Sequence, residues 1–211
     1  MKMKTEIIRM PFLTIVMALA AVLASCSSAG AGKSAQVDKV KWQVAAYAVV
    51  PSGSVGLEVA DQEAYGDILP LRDSYTKEES AKVDELLAHN DSLLSARGYA
   101  YQWIDFGTRE PLNLVFIEST PLLEQEVEVD SESVSPCYAD CLQIAFRFDD
   151  RQQWENITTA NIGKRIAIGV NGRILTAPCV NSPITQGACS VIVPAEDAPE
   201  LLPGISLPDT E

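Results

Sequence analysis

The chain is 211 residues long, 47% of them hydrophobic in type, with 16 Lys and Arg against 29 Asp and Glu for a net charge of −13. A surface of that sign repels nucleic acid and anionic lipid headgroups, which removes both from the expected partners. There is one histidine, His89, so no histidine-rich metal site is available and any nucleophile–histidine pair must use that single ring.

Residues 1–25 read as an export leader. "MKMKTEIIR" supplies Lys2, Lys4 and Arg9, and the apolar run from Met10 to Ala24 is 15 residues long. A helix needs about 20 such residues to span a bilayer, so this run does not span. "LASC" (23–26) resembles the lipobox of bacterial lipoproteins. That likeness implies cleavage before Cys26, a diacylglycerol on its sulfur and an acylated, palmitate-type amino terminus. Each buried methylene adds about 0.8 kcal/mol, so several chains on Cys26 would hold firmly to the lipid bilayer. Residues 26–40, beginning "CSSAGAGKSAQ", then form a flexible tether. Ser27 stands where an aspartate would mark inner-membrane retention, which points to the outer membrane with the domain facing the periplasm. Cleavage removes three basic residues and Glu6, taking the net charge from −13 to −15.

What remains is long enough for one domain with its own core, expected over 41–195. "KWQVAAYAVV" (41–50) reads as a strand closed by Pro51, Ser52 and Gly53, and 51–75 as a loop excursion. Thr76 and Glu79 make a capping box for a helix over 76–98, with Val83, Leu86, Leu87, Leu93 and Leu94 as its apolar stripe and Gly98 as its stop. "LNLVFIES" (112–119) reads as a buried strand. "LQIAFRF" (142–148) places Leu142, Ile144, Phe146 and Phe148 on one face. Asp149 or Asp150 then caps a short helix with Trp154 and Ile157 inward, ending near Gly163. "RIAIGV" and "RILTAPCV" flank Asn171-Gly172, a strong hairpin signal because both turn residues tolerate positive φ. Pro178 places its strand at an edge or a bulge. The acidic, Pro-rich tail 196–211 is expected to be loose. The class is α+β: a mixed β-sheet with helices packed on it, ending in a β-hairpin.

Four cysteines follow Cys26: Cys137, Cys141, Cys179 and Cys189. An even number in an oxidising compartment suggests two disulfides. Gaps of three and nine residues do not match paired zinc knuckles, so no metal ion is expected. If the strands on either side of 181–187 pair antiparallel, Cys179 and Cys189 face one another at the roughly 5.5 Å Cα spacing a disulfide tolerates. The expected bridges are Cys179–Cys189 and Cys137–Cys141, with a cross-pairing such as Cys141 with Cys179 left open.

"PLLEQEVEV", "FRFDD" and "NIGKRIAIGVNGRILTAPCVNSPIT" followed by Gly187 carry a more specific signal. Ile162 to Arg165, Asn171, Gly172, Ala177, Pro178, Asn181, Pro183 and Ile184 stand in the order seen in the head subdomain of the first periplasmic domain of SecD, also fused as SecDF, a membrane component of bacterial protein export. The resemblance is strong over 142–193 and weaker back to about residue 41. It implies the fold, an extracytoplasmic compartment, and contact between the head and exported polypeptide. The membrane helices that in SecD couple proton flow to export have no counterpart in this sequence, so motor function is not carried over.

Candidate sites follow from both readings. The loop Asn181, Ser182, Pro183, Ile184, Thr185, Gln186, Gly187 is longer than a hairpin requires; a structural scaffold is the preferred reading, and a polypeptide-binding loop is the alternative. Glu126, Glu128, Asp130 and Glu132 alternate; a solvated edge that deters strand pairing is preferred to a calcium site. Lys164 and Arg165 are expected to complement the carbonyl end of the preceding helix. His89 falls opposite the leucine stripe and is expected to be exposed and inert. The sequence therefore predicts a membrane-anchored lipoprotein with a non-catalytic, polypeptide-binding, SecD head-like domain accessory to protein export. It is expected to use no cofactor and to meet exported chains or the export machinery. The alternative is an envelope structural or interaction module that uses the same fold for unrelated work, and a carboxylate-based hydrolase ranks third.

Overall fold

Residues 39–50 alternate polar and apolar at first and then turn wholly apolar, the pattern of a strand that leaves solvent and enters a core. The computed structural model, which describes residues 39–59, 61–105, 111–137 and 140–208, makes this stretch the longest strand. Cys26 and the leader lie outside the described residues. In chain order the elements are β1 (Lys39–Val50), α1 (Gln62–Tyr65), β2 (Ser74–Tyr75), α2 (Lys77–His89), α3 (Asp91–Ala96), β3 (Tyr99–Ile104), β4 (Leu112–Glu118) and β5 (Leu123–Asp130). There follow β6 (Val134–Pro136), β7 (Cys141–Arg147), α4 (Arg151–Ala160), β8 (Ile166–Val170), β9 (Arg173–Thr176), β10 (Ala188–Pro194) and α5 (Ala198–Leu201).

Two sheets result. In the first, β5 and then β4 run along one edge of β1, β8 lies on its other edge, β9 lies outside β8, and β2 and β3 flank β4. The second has the order β10-β7-β6. Pairing between the named strands is antiparallel throughout, and a single parallel bridge joins Ile162 to Val180. Asn171 and Gly172 both take positive φ, 50° and 84°, as a two-residue hairpin between β8 and β9 demands.

Three apolar clusters hold these layers. The main one fills the space between the sheets: Trp42, Val44 and Ala46 of β1 and Ile166, Ile168 and Val170 of β8 meet Leu142, Ile144 and Phe146 of β7 and Val191 and Val193 of β10. Its aromatic chain runs Trp42–Phe146–Phe148–Trp154 with ring centroids 6.2, 5.7 and 4.7 Å apart. Such pairs add about 0.5–1.5 kcal/mol each beyond the area they bury. A second cluster lies under α2 and α3, against Leu114 and Phe116 of β4. The third occupies the other face of β4, where Val115 and Ile117 meet Ala167 and Ile174. The first sheet curls enough that the Gln102 side chain on β3 accepts the Ile174 N–H on β9.

Several expectations need correction. The helix expected over 76–98 breaks at Asn90, which is buried. Its side-chain amide donates to the Glu58 and Leu86 carbonyls, both at 2.9 Å, and its oxygen accepts the Glu58 N–H at 2.7 Å. A side chain bonded in this way to a distant segment competes with helix continuation. The same bonds tie down the 51–75 excursion, which is no plain loop: it contains α1 and β2 and buries Val55, Ile68 and Tyr75. The strand β3 was not expected at all. The tail is not loose over 198–205, because Ala198, Leu201, Leu202 and Ile205 are buried in the main cluster. Arg165 does not serve the helix end; its Nε donates to the Ala177 carbonyl at 2.8 Å and its guanidinium pairs with Asp73 at 3.1 Å.

Polar contacts hold the tail as well, among them an ion pair between Arg173 and Asp197 at 2.7 Å. The buried Trp42 indole N–H donates to the Leu201 carbonyl at 2.8 Å. Trp42→Phe keeps most of the ring but orphans that carbonyl. It should cost roughly 1–3 kcal/mol in urea denaturation and speed proteolytic removal of the residues after Pro194; an unchanged midpoint and cleavage pattern would show that the tail is held by other means.

Candidate functional site

The loop 181–187 begins where the hairpin of β8 and β9 runs out. Beyond Thr176 the chain stays fastened to residues 163–166: Ile166 N–H donates to the Pro178 carbonyl at 3.1 Å, Val180 N–H to the Lys164 carbonyl at 2.8 Å, and Gly163 N–H to the Val180 carbonyl at 2.8 Å. The loop then crosses from the first sheet to the second and enters β10. It is pinned at three further places. Ile184 N–H donates to the Thr158 hydroxyl at 3.0 Å, and that hydroxyl, wholly buried, donates in turn to the Trp154 carbonyl at 3.0 Å. The Arg147 guanidinium donates to the Gln186 carbonyl at 3.1 Å. Gly187 takes φ 69°, and its carbonyl accepts the Phe148 N–H at 2.9 Å. A Cβ on Gly187 would overlap the Phe148 carbonyl oxygen, so only glycine fits there.

The backbone of the loop is thus held while its side chains face out. Asn181, Ser182, Pro183, Thr185 and Gln186 are exposed; Ile184 is half-buried against the main cluster and Gly187 is buried. At the loop's base Ile162 bridges Val180 and is 48% exposed. This is a rim of hydroxyls, amides and two apolar groups. In the sequence Ile162 reads only as part of a turn, and nothing there singles out Thr158 or Arg147. A buried threonine inside a helix and an arginine on a strand carry no local signal of a loop they will hold.

The remaining candidates lie apart from this rim. Glu126 and Glu128 are exposed on β5 and pair across the strand with Lys41 at 2.6 Å and Lys39 at 2.9 Å. The hydrogen bond from Lys39 holds the Glu128 carboxyl below its ordinary range. Asp130 instead accepts the Ser133 N–H at 3.0 Å and caps a short turn, so the four acids do not converge. Among the described residues no three His, Cys, Asp or Glu side chains are placed to hold a metal ion. His89 is exposed, with Nδ1 2.7 Å from the Glu85 carbonyl oxygen.

The expected Cys179–Cys189 bridge is overturned by the topology. It required the strands flanking the loop to pair, but Cys179 bridges Arg165 in the first sheet while Cys189 lies opposite Phe146 in the second. Cys137 and Cys141 are neighbours across the end of the β6–β7 hairpin, where Cys137 N–H donates to the Cys141 carbonyl at 3.0 Å.

Residues 110–201 match the family model of the SecDF P1 head subdomain, and these residues include the pinned loop. SecD, the protein translocase subunit of Acidaminococcus fermentans, is 30% identical over 82 residues, which are 39% of this chain and 19% of that protein. The chain therefore spans only a small part of that relative's length. A solved SecDF structure, described as a membrane component that enhances protein export, is 21% identical, with 80% of this chain and 64% of that one covered at a TM-score of 0.35. SecDF in a super-membrane-facing form is 24% identical, with 78% and 24% covered at a TM-score of 0.29. No helix among the described residues is long and apolar enough to cross a membrane.

Within the matched segment the two loop-flanking cysteines should differ in reactivity. Cys179 is exposed, whereas burial pushes the Cys189 thiol up to about 12. Iodoacetamide at neutral pH should alkylate Cys179 in the native protein and leave Cys189 unmodified until the chain is unfolded. Protection of both in the non-reduced protein, with release by reductant, would restore the bridge.

Proposed function

We propose that this chain is a lipid-anchored envelope protein whose SecD head-like domain binds polypeptide as an accessory to protein export, without catalysis of its own. The observation that carries the reading is the coincidence of the head match with a loop whose backbone is pinned and whose side chains are exposed. A binding surface gains affinity when its conformation is paid for in advance by the fold. The acidic chain also suits basic or neutral polypeptide better than nucleic acid or anionic lipid.

A photo-crosslinking residue at Ser182 or Thr185, introduced in living cells, should capture many exported polypeptides or translocon components. The same probe at Glu78, exposed on α2 and outside the matched segment, should capture few. A second reading draws support from the layer formed by residues 55–104, which also lies outside the match: an envelope module that docks one folded partner. A single dominant folded protein crosslinked from the loop positions would establish that reading and remove the first.

Anchoring rests on Cys26 and places the domain at the periplasmic face of the outer membrane. Metabolic labelling with a palmitate analogue should mark the chain, and Cys26→Ala should abolish the label and release the domain from the membrane fraction. Labelling that persists in the Cys26→Ala variant would refute lipidation at this residue.

A further inference from the structure

The ladder between β7 and β10 has a parity that can be read from its two ends. Phe148 N–H donates to the Gly187 carbonyl at 2.9 Å, and Ala195 N–H to the Asp140 carbonyl at 2.8 Å; both pairs continue the register in which Ala188 lies opposite Arg147 and Pro194 opposite Cys141. In an antiparallel ladder, pairs that exchange hydrogen bonds alternate with pairs whose backbone groups point away. The odd-numbered residues of β10 therefore bond to β7. The even-numbered ones, Ala188, Ser190, Ile192 and Pro194, aim their backbone groups at the outer edge of the second sheet.

Both ends of that edge are closed. The Ala188 carbonyl accepts the Trp154 indole N–H at 3.2 Å, and Pro194 has no N–H to offer. Between them stand the N–H and C=O groups of Ser190 and Ile192, which have no backbone partner among the described residues; the Ser190 N–H also meets the Cys189 sulfur, and both residues are partly exposed. The opposite edge of the sheet is different. β6 is three residues long and ends in Pro136, a combination that blunts strand addition. One edge of this sheet is guarded; the other, on the side of β9, lacks backbone hydrogen bonds among the described residues over one short stretch.

An open strand edge recognises a backbone. An added strand bonds through its own N–H and C=O groups whatever its side chains are. The side chains beside the edge are also of mixed character: Ser190 accepts from Gln143 at 3.1 Å, and Ala145 and Arg147 are exposed on the same face of the sheet. We infer that β10 takes up an extended, unfolded polypeptide segment as an added edge strand through the backbone of Ser190 and Ile192. This rests on the polypeptide-binding reading and gives it a mode of recognition independent of the bound sequence, weak because few ladder bonds are available.

The test uses the full chain in detergent micelles with two probes: ribonuclease A that has been reduced and carbamidomethylated, hence permanently unfolded and basic, and native ribonuclease A. Amide hydrogen exchange at Ser190 and Ile192 should slow by about tenfold or more with the unfolded probe and stay unchanged with the native one. Ile192→Pro, which removes one outward N–H, should weaken binding of the unfolded probe about tenfold, whereas Ile192→Val should not. Should the proline variant fail to fold, exchange in the unaltered chain decides alone. If the unfolded probe binds while Ser190 and Ile192 exchange as before, the edge is not the site and the polypeptide-binding reading stands. If that probe does not bind, both fall.

Discussion

One strand bears most of the constraints in this molecule. β1 is paired along both edges, to β5 and β4 on one side and to β8 on the other. Its even face gives Trp42, Val44 and Ala46 to the core between the sheets and Val50 to the core under α2, while Tyr47 and Val49 on its odd face enter the third cluster. A strand so placed cannot slip in register, because a shift of one residue would exchange its faces and send Trp42 to solvent. The charged start obeys the same logic: Lys39 and Lys41 lie on the odd face where it is still exposed, opposite Glu128 and Glu126.

The matched segment, 110–201, begins well after β1, yet its core is closed by Trp42, Val44 and Ala46. The Leu201 carbonyl near the end of the match is satisfied by the Trp42 indole. The folding unit is therefore larger than the segment that resembles SecDF, and residues 39–50 are part of it. The α2 and α3 layer is attached through the far end of the same strand and through β4, so it rests on the head without interrupting its core.

The loop and the open edge are consequences of one crossing. Because 181–187 carries the chain from one sheet to the other, its ends are fixed by two different ladders, and its middle is held by Thr158 on α4 and Arg147 on β7. The same crossing delivers β10 to the outside of the second sheet, where the outward backbone groups of Ser190 and Ile192 have no backbone partner among the described residues. A loop that closed a simple hairpin would have paired β10 with the strand before it. It would have joined Cys179 to Cys189 and left no such edge.

Local signals were legible in the sequence wherever a residue type has a backbone reason to exist. The capping box of Thr76 and Glu79, the Asp150 cap of α4, the Asn171-Gly172 turn and the alternation of 142–148 each depend on groups a few residues apart, and each stands in the structure. The likeness of 142–193 to the SecD head could be read for the same reason, since it consists of turn and proline positions. What the tertiary structure alone decided depends on contacts between distant residues. The break at Asn90 is set by Glu58, the docking of the tail by Trp42, and the separation of Cys179 from Cys189 by which strand each one pairs with. Side-chain chemistry and spacing announce what a segment can form, but a partner's identity is fixed only when the sheets close around a shared core.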